Sequence, residues 1–463
     1  MSASNRLILG PDQEGRTLVV SGDRVERFGH ATVADELETP RNEAQIRGAD
    51  TLDAPPSDFP ILAADAGSRT ATSAGAENHI LCPDGVIAPG CVNAHTHIYS
   101  GLAPLGMPEP QPPPQNFLQI LERVWWRLDR ALDEASLRAS ARLYAAESLL
   151  AGTTMLIDHH ESPNFIEGSL DVLADACEEI GIRAVLCYGA TERNGGFAEG
   201  KRGLQECRRF IDSNERSLVQ GICALHASFT VSDALIKETA TLSRELGTVT
   251  HIHVAEDGAD NEDARRRGYE GPLERLLAHA ALRPGSILAH CVHCDRSQVR
   301  LAAQQELWIV QNPRSNRGNR VGYPMSLGES KRVALGTDGY PANMSDEREA
   351  LAEEATAHGE PLAIAHPRLE AGHKLAAQRF GRTFAPLVAG TVADIVVRDS
   401  GASEDADPFD DQEPACAPGP VRHVVVDGKL VVRDGKLLTA NLDEIRAEAR
   451  EQAPRLWERM RAL

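Results

Sequence analysis

The sequence predicts an α/β protein: a closed (β/α)8 barrel of the TIM type, with a small β-sandwich domain formed from both chain ends. Three observations carry that reading. Eight short apolar runs recur between residues 87 and 389, with helical or mixed stretches between most of them. Repeated β-then-α units impose a parallel sheet, and eight of them close it into a barrel. Polar side chains, histidines above all, cluster where those runs end, on the carboxyl face where such barrels place their sites.

The elements follow in order. Residues 17–28 read as two β runs about Gly22-Asp23, a turn pair. Residues 31–78 are rich in Ala, Asp, Pro and Ser and lack periodicity, so they read as a surface insertion. The barrel runs then fall at 89–97, 153–158, 183–187, 219–226, 249–253, 286–290, 307–310 and 332–338. Beyond residue 390 the β pattern returns at 391–398 and 421–435, the latter folding about Asp427-Gly428-Lys429. Residues 1–86 and 390–440 therefore form the small domain and 87–389 the barrel. Residues 441–463 read as a helix with Leu456, Trp457, Met460 and Leu463 on one face and a break at Pro454.

Composition narrows the function classes. A length of 463 residues supports a large core. The net charge of −20, from 48 Lys and Arg against 68 Asp and Glu, argues against a nucleic-acid partner, which needs a basic face. No apolar run approaches the ~20 residues of a membrane span, and the first residues lack the basic-then-apolar pattern of a signal peptide. A cytoplasmic protein acting on a small molecule is the expectation. The nine cysteines are odd in number and scattered, which reads as reduced and mostly buried thiols. Cys291 and Cys294 form a CxxC with no second one to complete a structural zinc site.

The chemistry concentrates in a few strand ends. His95 and His97 stand two apart, so on a strand both imidazoles face one space, as two ligands of one cation require. His251 and His253 repeat that spacing, and Glu256 follows on the next loop, where a carboxylate can move a proton without being a ligand. His290 ends the sixth run. Asp338, in Gly336-Thr-Asp-Gly339, ends the eighth. Each residue alone is compatible with a satisfied core histidine or a loop acid. Together they supply three histidines and one aspartate from runs 1, 5 and 8, a donor set suited to Zn2+ or Fe2+ with a position left for solvent. A bound divalent ion drops the pKa of water from 15.7 to about 7. No lysine sits where a carbamylated bridge would be needed, which favours one ion over two. Trp125 and Trp126, in a helical stretch, read as core or interface.

These motifs resemble the amidohydrolase superfamily. Pro89-Gly90 leading into His95-x-His97, then His253-x-x-Glu256, Ala289-His290 and Gly336-Thr-Asp338-Gly339, are similar to its mononuclear-metal aminohydrolase branch, which includes guanine deaminase, the adenosylhomocysteine deaminases and the triazine hydrolases. The segments 114–129, 158–163, 225–230 and 251–257 are most similar to the SsnA-type aminohydrolases. The resemblance implies that His95, His97, His253 and Asp338 hold one divalent ion, zinc first and iron second. It implies that metal-bound hydroxide attacks an amino-substituted N-heterocycle of purine, pterin or pyrimidine type. Asp338 would take the water's proton, Glu256 would protonate a ring nitrogen, and His290 would orient the attacking or developing oxygen. His226, His160 and Tyr188 are the candidate substrate contacts, with His159 beside them. Gln311-Asn-Pro-Arg-Ser-Asn316 departs from the branch's His-Asn-Pro-x-Ser-Asn. Members of the branch form dimers and larger assemblies, which leaves a homo-oligomer open. The alternatives are hydrolysis of a cyclic amide, ureide or other leaving group at the same ion, and a non-catalytic metal-binding barrel.

Overall fold

The computed structural model describes residues 6–30, 79–399, 416 and 419–463; the 31–78 insertion lies outside them. The chain opens with β1 (Arg6–Leu9), β2 (Arg16–Ser21), β3 (Arg24–His30), β4 (His79–Ile80) and β5 (Gly85–Pro89). The barrel strands are β6 (Cys91–Thr96), β7 (Thr153–Asp158), β8 (Arg183–Leu186) continued by β9 (Gly189–Ala190), and β10 (Val219–Gly221) continued by β11 (Cys223–Ala227). They end with β12 (Thr250–Val254), β13 (Ile287–His290), β14 (Trp308–Gln311) and β15 (Val333–Leu335). The third and fourth barrel strands are thus each interrupted, where the sequence read continuous runs. Strands β16 (Ile395–Asp399), β17 (Val421–Val426), β18 (Lys429–Arg433) and β19 (Lys436–Leu437) complete the set.

All barrel pairings are parallel, in the orders β10-β8-β7-β6 and β15-β14-β13-β12-β11-β9. The ring closes where Thr96 bridges Asp338 in parallel. There the His95 carbonyl accepts from Thr337 N at 2.9 Å and Asp338 N at 3.0 Å. Closure therefore puts the first histidine pair and the last aspartate side by side. The strands are buried on both faces, as a parallel sheet wrapped by helices requires. The barrel interior is filled by Ala94, Ile157, Val185, Ala224, Ile287, Val310 and Ala334, among others. Gly90 has no side chain because a Cβ there would meet the Thr154 side chain at 2.2 Å.

The small domain is a sandwich of two sheets, ordered β3-β2-β1-β4 and β19-β18-β17-β16-β5. Leu9, Leu18, Val20, Val25, Ile87, Ile395, Val397 and Val425 interdigitate between them. Both chain ends contribute, because β5 pairs antiparallel with β16.

Two expectations change. The C-terminal helix runs from Leu442 to Ala462 straight through Pro454. Ile445, Ala449, Ala453, Leu456, Trp457 and Met460 are buried along it, and this packing holds the helix despite the missing backbone donor, while Leu463 stays exposed. The thiols are also not all free: Cys91 and Cys416 are joined, with Cα atoms 5.7 Å apart across a sequence separation of 325. That separation hides the pair from any local reading, whereas Cys291 and Cys294 are free and buried as expected.

Arg183 ties the barrel to the sandwich. Fully buried, it donates to Asp394 at 2.9 and 3.1 Å and to Asp427 at 2.9 Å, under the rings of Phe380 and Phe384. Removing one side of a buried ion pair leaves uncompensated charge. Arg183→Ala is expected to lower unfolding stability by about 3–5 kcal/mol in a urea titration, and a loss below about 1 kcal/mol would show that this junction is not structural.

Candidate metal and active site

The histidines that end the barrel strands are oriented by the backbone around them. His97 Nδ1 donates to the His159 carbonyl at 2.5 Å and His253 Nδ1 to the His226 carbonyl at 2.6 Å. Each bond places the proton on Nδ1 and leaves the Nε2 lone pair free. Those two Nε2 atoms lie 3.4 Å apart. His95 meets His251 Nε2 through Nδ1 at 3.0 Å, and its own Nε2, completely buried, has no hydrogen-bond partner.

Asp338 Oδ1 completes the group, 2.8 Å from His97 Nε2 and 3.6 Å from His95 Nε2. The ligand atoms of His95, His97, His253 and Asp338 all lie within 4.8 Å of one another. Three imidazole lone pairs and a carboxylate facing one point suit a divalent cation, and the orphaned Nε2 of His95 is what a ligand atom looks like without its ion. Burial pushes His95 down to about 3 and His253 well below its ordinary range, so both are neutral, the form that binds metal. Burial opposes the charge on Asp338, yet the imidazoles of His95 and His97 beside it hold its carboxyl well below the usual range.

The other functional candidates sit beside this cluster. His290 Nε2 is 3.5 Å from Glu256 Oε2 and 3.9 Å from Asp338 Oδ2. Its Nδ1 donates to Asn316 Oδ1 at 2.9 Å. His290 and Asp338 adopt left-handed backbone, with φ of +74° and +53°, a conformation that costs a non-glycine residue energy and turns both side chains inward at the strand ends. Burial pushes Glu256 up to about 7, partly opposed by His290 and by a hydrogen bond from Asn319 Nδ2 at 3.1 Å.

The helix Pro313–Gly318 supplies contacts that the sequence reading passed over. Ser315 donates to Asp338 Oδ2, Asn316 positions His290, and Asn319 reaches Glu256. Their i, i+1, i+4 spacing after β14 is the signal that marks one helical face turned to the site. Gln311, where the resemblance led to a histidine, is buried with both amide atoms unpartnered.

Residues 86–431 match the amidohydrolase family. The chain belongs to that family. It is 29% identical over 398 residues to a 5'-deoxyadenosine deaminase of Methanopyrus kandleri, covering 80% of this chain and 86% of that one. It is likewise 29% identical over 385 residues to a 5-methylthioadenosine/S-adenosylhomocysteine deaminase of Archaeoglobus fulgidus, covering 80% and 87%. The fold is shared with a zinc-bound adenosine deaminase of Xanthomonas campestris, at a TM-score of 0.75 and 21% identity over 99% of both chains. It is shared as well with an atrazine chlorohydrolase of Arthrobacter aurescens solved with zinc, at a TM-score of 0.71 and 20% identity over 97% of this chain and 99% of that one.

In this amidohydrolase the cluster opens into a cavity lined by His97, Tyr99, Phe117, Trp125, Trp126, Glu161, His226, Phe229, Glu256 and Asp338, among others. Both tryptophans therefore face the cavity, correcting their reading as core or interface. The segment 121–125 forms a π-helical turn between two α-helical stretches, which rotates its side chains off the register a regular helix gives. His226 lines the cavity, with Nδ1 3.0 Å from Thr230 Oγ1.

His160 and Tyr188 do not line it. Both are fully buried behind it: His160 Nε2 meets Ser162 Oγ at 2.8 Å, and the Tyr188 hydroxyl accepts from Ser162 N at 3.3 Å. His159 is buried against the rings of His95, His97, His251 and His253. Among the described residues no helix is long and apolar enough to cross a membrane.

Zinc titration of the metal-free chain is expected to take up one ion per chain and to raise the Tm by mass action. Asp338→Ala should lose both responses. Uptake that survives this substitution would place the ion elsewhere.

Proposed function

We propose that the protein is a divalent-metal-dependent aminohydrolase that deaminates an amino-substituted N-heterocycle of purine-like type. The observation that carries this is the placement of Glu256 and His290 on one side of the four-ligand cluster, inside an aromatic cavity. The names of the deaminase relatives support the same reading. His95, His97, His253 and Asp338 would hold the ion, which when bound supplies a Lewis acid that makes water nucleophilic at neutral pH.

The chain's own residues do the rest. Trp125, Trp126 and Phe117 give the ring flat apolar walls and keep water out. Asp338, steadied by Ser315, accepts a proton from the attacking water. Glu256, pushed up to about 7, is poised to hand a proton to a ring nitrogen, so the amine-bearing carbon becomes electrophilic. His290, fixed by Asn316, orients the attacking water through its Nε2. Asp338 then returns its proton to the departing amine, Glu256 regains one from the new hydroxyl as the carbonyl forms, and ammonia leaves.

A panel of purine and pyrimidine amines, incubated with zinc-loaded protein and read by ammonia release, tests this. At least one ring amine should release ammonia with a mass change of NH for O. Glu256→Gln should cut kcat about 10²- to 10⁴-fold while the bound zinc is retained. No ammonia from any member, with zinc bound, would contradict the reading, and a product heavier by one whole water would replace it with ring-opening hydrolysis.

A further inference from the structure

Glu161 belongs to no part of the site described so far, yet it lines the same cavity. Only 2% exposed, it sits across His97 and His253 from Glu256, on the side of β7 and β11. Its Oε1 is held 2.7 Å from His159 Nδ1. Its Oε2 lies 3.7 Å from His97 Nδ1, whose proton is already given to the His159 carbonyl. Among the described residues no donor reaches Oε2 within hydrogen-bonding distance.

The carboxylate is built into place. A Cβ on Gly189 would meet Glu161 Oε1 at 2.4 Å and the His159 ring at 2.5 Å, so the glycine makes the room this pair occupies. With Oε1 set against the His159 ring, Oε2 is the oxygen left to accept a donor from a molecule in the cavity. The cavity's charge points the same way. Asp129, Glu161, Glu256 and Asp257 line it, and among the described residues no lysine or arginine does. Asp129 is answered from behind by Arg193 at 2.7 Å, and its other oxygen, Oδ1, is buried without a partner.

We propose that Glu161 is a specificity-determining residue that accepts a hydrogen bond from an N–H or O–H donor on the substrate's edge away from the departing amine, so that the substrate is a neutral or cationic amino-heterocycle and phosphorylated or carboxylated rings are excluded. This rests on the aminohydrolase reading for its choice of ring, but it is a statement about binding and can be measured without turnover.

Calorimetric titration of the zinc-loaded protein carrying Glu256→Gln, which suppresses turnover, with adenosine, guanosine and cytidine, each beside its 5'-monophosphate, reads it directly. At least one nucleoside should bind, and its monophosphate should bind at least about 100-fold more weakly, as desolvated like charge dictates. Adding Glu161→Gln should weaken the nucleoside about 10- to 100-fold, the scale of a lost hydrogen bond to a charged acceptor, and narrow the preference against the phosphate, with zinc content still one per chain. The comparison with Glu161 intact stands alone if the added variant does not fold. Equal binding of the monophosphate, no binding of any nucleoside, unchanged affinity on adding Glu161→Gln, or a second zinc lost in that variant would each overturn the proposal. Binding as expected, with no ammonia released by the wild-type protein, would instead sink the deaminase reading and leave the role of Glu161 intact.

Discussion

Two backbone carbonyls, those of His159 and His226, set the geometry from which the rest of the site follows. By taking the Nδ1 protons of His97 and His253, they fix which nitrogen of each ring carries a lone pair and where it points. Both carbonyls belong to neighbouring barrel strands or their ends, so ring orientation is a property of the closed sheet and not of a mobile side chain. The strand pairing that brings Thr96 beside Asp338 then adds the carboxylate to the same point. A barrel that failed to close would scatter these groups, however well each strand formed.

Around that point the structure separates its acids by environment. Asp338 is held ionised by the imidazoles, Glu256 is raised by burial, and Glu161 is held charged by His159 although burial opposes it. Three carboxylates within one cavity thus have three different tasks open to them, set by neighbours and not by residue type. The helix Pro313–Gly318 is the part that coordinates two of them, since its serine reaches Asp338 and the asparagine just past its end reaches Glu256.

The barrel was legible because its strands are apolar runs closed by polar residues, and the histidine pairs were legible because a two-residue spacing has one meaning on a strand. His95, His97, His253, Glu256, His290 and Asp338 converge as that spacing implied. What escaped was set by events no local pattern encodes. The π-helical turn at 121–125 swings Trp125 and Trp126 to the cavity, while beyond Asp158 it is Glu161, not His160, that lines it. Tyr188, buried between β8 and β9, stands behind the cavity wall. The Cys91–Cys416 bond joins positions whose proximity exists only after the fold has formed.

Zinc-edge X-ray absorption on the metal-loaded protein tests the central claim most directly, because it counts and identifies the donors around the ion. Three imidazole nitrogens and carboxylate or water oxygen at about 2.0–2.2 Å, with no sulfur, is the predicted shell. A sulfur scatterer near about 2.3 Å, or a shell of oxygens without imidazole, would contradict it.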